Sequence, residues 1–160
     1  MQTDDIAERI KAIPLWQSDI DIASLEGGIT NVNYLVSHNK GKHVVRVGDD
    51  IPHRHVMRIN ELAASYAASD AGLSPAVRYA GDGITVLDYV DSTTLTLELI
   101  RSPEYFEPVV ELVGRCHRDL GKHLKGPALS FWVFHVVRDY AHSLGRRYPI
   151  ILRSCLSYLL

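Results

Sequence analysis

The chain has 160 residues, of which 46% are hydrophobic and 22% charged, an ordinary globular composition with enough length for one domain or for one small lobe and part of another. Its 17 basic and 19 acidic residues give a formal charge of −2. Without any Lys/Arg run, that balance speaks against nucleic acid or an anionic membrane surface as a partner. A small molecule is the expected partner.

The cysteines and the apolar tracts predict a cytoplasmic protein. Cys116 and Cys155 are the two cysteines, and residues 1–9 are polar and acidic rather than a charged stretch followed by an apolar one. The longest apolar tract, 149–160, is interrupted by Arg153 and is shorter than the roughly 20 residues that span a bilayer. We expect no membrane segment.

The first elements along the chain are a short helix and three strands. Ile6, Ile10 and Ile13 have a helical spacing that ends at Pro14, which predicts a helix over residues 4–13. Apolar alternation then predicts strands, with turn residues between them. The strands cover residues 19–25, 32–37 and 43–47, and the turns cover 27–28 and 39–41. This pattern is typical of an antiparallel meander.

A helix and a hairpin follow. The helical period runs from His55 to Ala71 and stops at Gly72. The face expected to be apolar contains Val56, Ile59, Ala63, Tyr66 and Ala67. Residues 76–80 and 84–90 then read as two strands, joined by a Gly-Asp-Gly turn at 81–83 that suits positive backbone φ.

The rest of the chain is predicted to be helical. After a polar connector at 91–94, residues 103–125 carry an apolar stripe at i, i+3, i+4 and i+7. Residues 131–144 form a second predicted helix, and a third candidate begins at Pro149. Five strands with one inserted helix, followed by helices only, predict an α+β fold.

A glycine pair lies between the first two predicted strands, at Gly27 and Gly28. Backbone amides without side-chain bulk around them can cradle phosphate oxygens. The segment matches neither G-x-G-x-x-G nor a Walker loop. A plain β-turn therefore remains the alternative interpretation of these residues taken alone.

Arg46 is a lone cation in an otherwise apolar strand, where an unpaired buried charge would be costly. Glu61 is a candidate partner because it is the only charge on the helix face that also carries Met57, Ala64 and Ala68. A strand cation facing a helix carboxylate is the arrangement that kinases use to position nucleotide phosphates. A structural ion pair, or two solvated groups, fits these two residues equally well.

Two other patterns are set aside. Residues 117–120 spell the H-R-D-L of a protein-kinase catalytic loop, but Leu124 occupies the position where that loop needs a metal-binding Asn. The tetrapeptide also lies inside a helical stripe, with His117 and Asp119 on opposite sides of it. The His-Arg-His sequence at 53–55 has no ligand partner at a recognised metal-site spacing, so we interpret it as a solvated loop.

Four segments together resemble bacterial choline and thiamine kinases in their order and spacing. They are residues 27–36, 43–47, 58–61 and 71–75. The resemblance covers about residues 19–95, continues loosely through 112–117 and 131–140, and extends to the wider family of choline, ethanolamine and aminoglycoside kinases. It implies a protein-kinase-like fold with a nucleotide-binding lobe at 1–92 and a connector plus part of a helical second lobe at 93–160.

The resemblance also implies a site for ATP. The loop would cover the phosphates, Arg46 would contact them, Glu61 would fix Arg46, and residues 87–90 would form the adenine hinge. The implied site residues are Gly27, Gly28, Ile29, Thr30, Asn31, Arg46, Glu61, Leu87, Asp88, Tyr89 and Val90. Arg in place of the more usual Lys is tolerable because its planar fork can hold a phosphate and a carboxylate together.

One departure from the family pattern bears on whether this chain can be active. Members carry an H-x-D-x-x-x-x-N type loop with the catalytic base and a later Asp that binds magnesium, and neither occurs between Leu95 and Leu160. We therefore assign no catalytic residue and no metal ligand, and expect Mg²⁺ only in a full-length enzyme. The expectation is the N-terminal portion of an ATP-dependent kinase of choline or a similar amino alcohol, cut short and inactive.

Three alternatives stay open. The same lobe could be a non-catalytic module that binds a nucleotide or a protein. Within the family, thiamine or an aminoglycoside could be the acceptor. The chain could also be an unstable fragment that self-associates through exposed apolar helices.

Overall fold

A five-stranded antiparallel sheet forms the centre of the first part of the chain in the computed structural model, which describes residues 3–145. The strands are β1 (Asp21–Leu25), β2 (Val32–His38), β3 (Gly41–Val47), β4 (Val77–Gly81) and β5 (Ile84–Asp88). Their order across the sheet is β1-β2-β3-β5-β4, with antiparallel pairing throughout. The predicted α+β fold with a five-stranded sheet is confirmed.

The helices follow the predicted order, with one addition. They are α1 (Thr3–Lys11), α2 (Arg58–Asp70), α3 (Leu97–Arg101), α4 (Pro103–His123) and α5 (Val133–Gly145). α2 is the helix inserted between β3 and β4, and a 3₁₀ turn at Pro52–Arg54 precedes it. The candidate helix that begins at Pro149 lies outside the described residues.

The core lies between α1 and one face of the sheet. Side chains alternate between the two faces of a strand, so every second residue of β2, β3 and β5 points the same way. The buried sheet residues are Tyr34, Val36, Val45, Val47, Ile84 and Val86. Ile6, Ile10 and Ile13 of the α1 region pack on them, and Ile10 is fully buried. The helical spacing of these three isoleucines is therefore the pattern that covers one face of the sheet.

The start of α2 differs from the sequence prediction, which placed it at His55. His55 has a left-handed backbone with φ of 56°, which a helix cannot continue. The helix begins three residues later, where a carboxylate oxygen of Asp50 accepts a hydrogen bond from the Arg58 amide at 2.6 Å. A cap supplied from eight residues upstream gives no local signal in the sequence.

The predicted apolar face of α2 is wrong in part. Ala67 is fully buried, but Ile59 is 61% exposed and Tyr66 is also exposed. At about 100° per residue, Ile59 and Glu61 lie on nearly opposite sides of the helix. Since Glu61 turns toward the sheet to meet Arg46, Ile59 turns outward.

The predicted hairpin is confirmed. Its two turn residues, Asp82 and Gly83, have φ of 49° and 73°, the positive values that two-residue hairpins of this twist require. The amide of Gly48 donates to the Gly83 carbonyl at 2.9 Å. The turn is thereby fixed to the chain leaving β3.

Helix α3 is absent from the sequence prediction, because five residues are too few to show a hydrophobic period. The available signal is Thr96, whose side chain accepts from the Leu99 amide at 3.3 Å as an N-cap. α4 confirms the next predicted helix and contains the H-R-D-L tetrapeptide, as expected. Its apolar stripe is only partly covered, since Leu112 and Val113 are about half exposed.

The chain divides into two compact units. Residues up to Ala128 form one, which includes the sheet and α1 to α4, and residues from Leu129 belong to the other, which includes α5. The division after residue 92 stays a prediction. No helix within residues 3–145 has the length and apolarity needed to cross a membrane.

Truncating Ile10 tests the α1 contact. We expect Ile10→Ala to lower the free energy of unfolding by about 2–5 kcal/mol, the usual cost of removing a fully buried aliphatic side chain. The matched control is Ile29→Ala, because Ile29 is 93% exposed, and its effect should stay within about 0.5 kcal/mol. Urea unfolding followed by circular dichroism measures both, and equal effects would contradict this core.

Candidate functional site

The sheet face opposite α1 carries a polar row beside an apolar row. Strand register places Asn33, Arg46 and Thr85 side by side across β2, β3 and β5. The next row on the same face is Leu35, Val44 and Leu87. These residues alternate with the buried core residues, so they point away from α1. The face can therefore receive a ligand that is charged at one end and apolar at the other.

A cavity of about 390 Å³ opens at the polar row. Its wall combines the loop between β1 and β2, residues 26–31, with Asn33, Val44 and Arg46. A second cavity of about 250 Å³ lies between α2 and the β4–β5 hairpin and shares Asn31 and Arg46 with the first. Arg46 thus contributes to both walls.

The loop over this cavity depends on its two glycines. Gly27 has φ of 101°, a conformation that favours glycine. A Cβ on Gly28 would lie 1.9 Å from the Asn31 carbonyl oxygen and 3.0 Å from Asn33 Nδ2. The loop lies close over Asn33, whose Oδ1 is buried without a hydrogen-bond partner. Side chains at either glycine would therefore change the loop that lines the cavity.

Arg46 and Glu61 form the predicted ion pair. Arg46 Nη2 lies 2.5 Å from Glu61 Oε1, and the two side chains are 34% and 31% exposed. A pair with this much solvent contributes little to stability, typically up to about 1 kcal/mol. The pair matters more for geometry than for stability, because it holds the Arg46 guanidinium at the cavity wall. That guanidinium still has N–H donors for another acceptor.

Glu61 has two further partners. Its Oε1 also accepts from Asn31 Nδ2 at 3.2 Å, and its Oε2 accepts from Arg58 Nη1. We predicted no role for Arg58 from the sequence, although its i, i+3 spacing from Glu61 is the signal that could have suggested this contact. One carboxylate therefore joins β3, α2 and the glycine loop.

The predicted hinge residues point in different directions. Leu87 lies in the apolar row of the site face. The Asp88 carboxylate lies on the opposite face, where Arg78 donates to it at 2.6 and 2.7 Å and His43 Nε2 is 3.6 Å away. The Tyr89 amide donates to the Lys42 carbonyl at 3.2 Å. The structure thus does not bring the Asp88 side chain to the site.

The predicted site residues fall into two groups. The loop residues Gly27, Gly28, Ile29, Thr30 and Asn31 lie with Arg46 around one cavity. Glu61 reaches this group from α2, and Leu87 joins it through the sheet. Tyr89 and Val90 follow the end of β5 and are exposed.

The opposite face near the hinge holds a small electrostatic cluster. Hydrogen bonding from Arg78 holds the pKa of Asp88 below its usual value. Burial, with a smaller effect from neighbouring His38, lowers the pKa of His43. The two histidine rings stack with centroids 5.1 Å apart, and the Trp16 ring meets both edge-on.

Metal ligands are a separate question. Within residues 3–145, no three His, Cys, Asp or Glu side chains are placed to hold a metal ion together. The site face instead offers a guanidinium, amides and an apolar row. This donor set suits an anionic group with an apolar group beside it better than a bare cation.

Comparison with known proteins supports the fold. No family model and no curated protein matches the sequence. Among solved structures, the ethanolamine kinase of Plasmodium vivax is similar, with a TM-score of 0.64 and 14% identity over 93% of this chain and 51% of that chain. The chain has a kinase-like fold. Its sheet with the inserted helix α2 matches a kinase-like N-lobe, and the chain spans about half the length of that kinase.

The lowered pKa of His43 predicts how stability varies with pH. Unfolded histidine titrates near 6.5, above the folded pKa, so in that interval the unfolded chain binds more protons and the free energy of unfolding rises with pH. We expect His43→Gln to flatten this rise in the range just below about pH 6.5. His117→Gln, which removes an exposed histidine of α4, is the control and should keep the slope. Urea unfolding at a series of pH values measures it, and an unchanged slope in His43→Gln would contradict the assignment.

Proposed function

We propose that this chain is the ATP-binding part of a phosphotransferase whose acceptor is a hydroxyl group on a small molecule. The observation that carries the proposal is Arg46, held by Glu61 at the wall of a glycine-lined cavity. Kinase-like N-lobes place a strand cation and a helix carboxylate in this relation to hold nucleotide phosphates. The kinase-like fold supports the same interpretation.

The two rows of the site face fit the two ends of ATP. The phosphates would lie under residues 27–31, where backbone amides and Arg46 supply donors. The adenine ring would lie against the apolar row of Leu35, Val44 and Leu87. Backbone groups of residues 87–90 would then border the base, and the Asp88 carboxylate would stay with Arg78.

The proposed acceptor is choline or a similar amino alcohol. The family resemblance supports this class, and the similar solved structure is an ethanolamine kinase. Thiamine and aminoglycosides are the alternatives within the family. Magnesium, when bound with ATP, would neutralise phosphate charge, and we assign neither its ligands nor a catalytic base to residues of this chain.

Nucleotide titration tests the proposal directly. We expect the chain to bind Mg-ATP and Arg46→Ala to weaken binding roughly 10- to 100-fold, since a hydrogen bond to a charged group contributes about 1.5–3 kcal/mol. Isothermal titration calorimetry measures both affinities. Arg118→Ala is the control, because it removes the same charge from an exposed ion pair on α4 and should leave the affinity unchanged.

The titration also separates the proposal from its main rival. A module that serves only to bind another protein predicts no ATP binding in either the unaltered chain or Arg46→Ala. Equal binding by both would place the phosphates away from Arg46. Either result would overturn the assignment of this cavity.

A turnover assay tests the expectation that the chain does not transfer phosphate by itself. We expect no phosphorylation of choline, ethanolamine, thiamine or an aminoglycoside above background when ADP release is followed with Mg-ATP. The reason is that the chain lacks the H-x-D-x-x-x-x-N type loop of the family. Turnover in the usual range for kinases, about 1–100 per second, would show this expectation to be wrong.

A further inference from the structure

Arg58 joins three segments around the proposed phosphate site. Its Nη2 donates to the Thr30 carbonyl at 2.8 Å, its Nε donates to the Asp49 carbonyl at 2.9 Å, and its Nη1 donates to Glu61 Oε2. These acceptors belong to the glycine loop, the chain leaving β3 and helix α2. One planar guanidinium thus fixes the loop and the helix relative to the strand between them.

The residues around Arg58 hold its side chain in this position. Its side chain is only 18% exposed, and all three of its guanidinium nitrogens already donate to protein oxygens. Gly48 leaves the necessary space, because a Cβ there would lie 2.7 Å from both Arg58 Nη2 and Asn31 Oδ1. Arg58 is therefore placed to act on its neighbours rather than on a ligand.

The contact with Glu61 affects how Arg46 can be used. Arg46 meets Glu61 through Oε1, while Arg58 occupies Oε2. An arginine and a carboxylate that are free to do so often form two parallel hydrogen bonds. By donating to the second oxygen, Arg58 competes with Arg46 for it and favours the contact of Arg46 with Oε1 alone. The remaining donors of Arg46 stay available for phosphate.

We propose that Arg58 is a positioning residue for the phosphate groups of the nucleotide. It sets their affinity by holding Glu61 in one-oxygen contact with Arg46 and by fixing the carbonyl end of the glycine loop, and it does not touch the ligand. The inference rests on the proposed function, because it assumes that Arg46 contacts phosphate. Its consequence is specific: loss of Arg58 should weaken binding in proportion to the phosphates present, not to the base.

A phosphate series tests this dependence. Affinities for Mg-ATP, ADP, AMP and adenosine are measured by calorimetry for the unaltered chain, Arg58→Gln and Arg58→Lys. We expect Arg58→Gln to weaken ATP binding about tenfold and adenosine binding less than twofold. Arg58→Lys should recover part of the ATP affinity, because its ammonium can reach Glu61 but cannot also span Thr30 and Asp49. Arg118→Gln, at an exposed ion pair, should change none of the four affinities.

A double substitution tests whether Arg58 acts through Arg46. If it does, the two effects are not additive, and adding Arg58→Gln to Arg46→Ala should weaken ATP binding by less than twofold more. If the effects of the two substitutions on ATP affinity are fully additive, Arg58 does not act through Arg46. The thermal unfolding midpoint of each variant is measured alongside, and Arg58→Lys decides the phosphate series if Arg58→Gln does not fold.

The outcomes separate the two proposals. If the unaltered chain binds none of the four compounds, the proposed function fails and this inference fails with it. If the unaltered chain binds ATP, but Arg58→Gln weakens ATP and adenosine equally or changes neither, the inference alone is overturned. In that case Arg58 only supports the fold.

Discussion

The carboxylate of Glu61 is the contact on which the arrangement of this lobe depends. It accepts from Arg46 on β3, from Asn31 at the end of the glycine loop and from Arg58 at the start of its own helix. Each of these groups is polar and half-buried, so each needs a partner. With all of them meeting at one side chain, the rotation of α2, the position of the loop and the direction of Arg46 cannot be chosen independently. The outward turn of Ile59 is one consequence of this constraint.

The two faces of the sheet differ in what they contact. Alternation gives the strands a buried face that packs on α1 and a second face with a polar and an apolar row. The buried face supplies the hydrophobic stabilisation, so the other face can keep a partly exposed ion pair that adds little to stability. Because the buried face supplies this stabilisation, a charged group such as Arg46 can lie in the middle of the sheet. The site therefore forms on the face opposite α1, where α2 supplies Glu61.

Much of this could be predicted from the sequence, for reasons that are local. Strands, α1, α4 and the β4–β5 hairpin show their periods or their turn residues within a few positions. The Arg46–Glu61 pair was predictable because Arg46 is the lone charge of an apolar strand and Glu61 is the lone charge on one apolar face of its helix. What the sequence could not reveal depends on more distant residues: the Asp50 cap that starts α2, and the Thr30 and Asp49 carbonyls that accept from Arg58. The direction of the Asp88 side chain could have been predicted. Neighbouring residues of a strand point to opposite faces of the sheet, so once Leu87 is assigned to the site face, Asp88 must lie on the other face.

The groups assembled on this face also bear on which part of a kinase reaction they could support. Under the proposed function, the glycine loop, the anchored guanidinium of Arg46 and the apolar row would hold and orient the nucleotide. Acceleration requires groups that respond to the charge and proton that move, such as a base at the acceptor hydroxyl and a metal between the phosphates. The two sets of groups can lie on different parts of a protein because only the bound nucleotide has to connect them. Glu61 gathers its described side-chain partners from β3, α2 and the loop, so the position of Arg46 at the cavity wall is set by contacts within the sheet-containing unit.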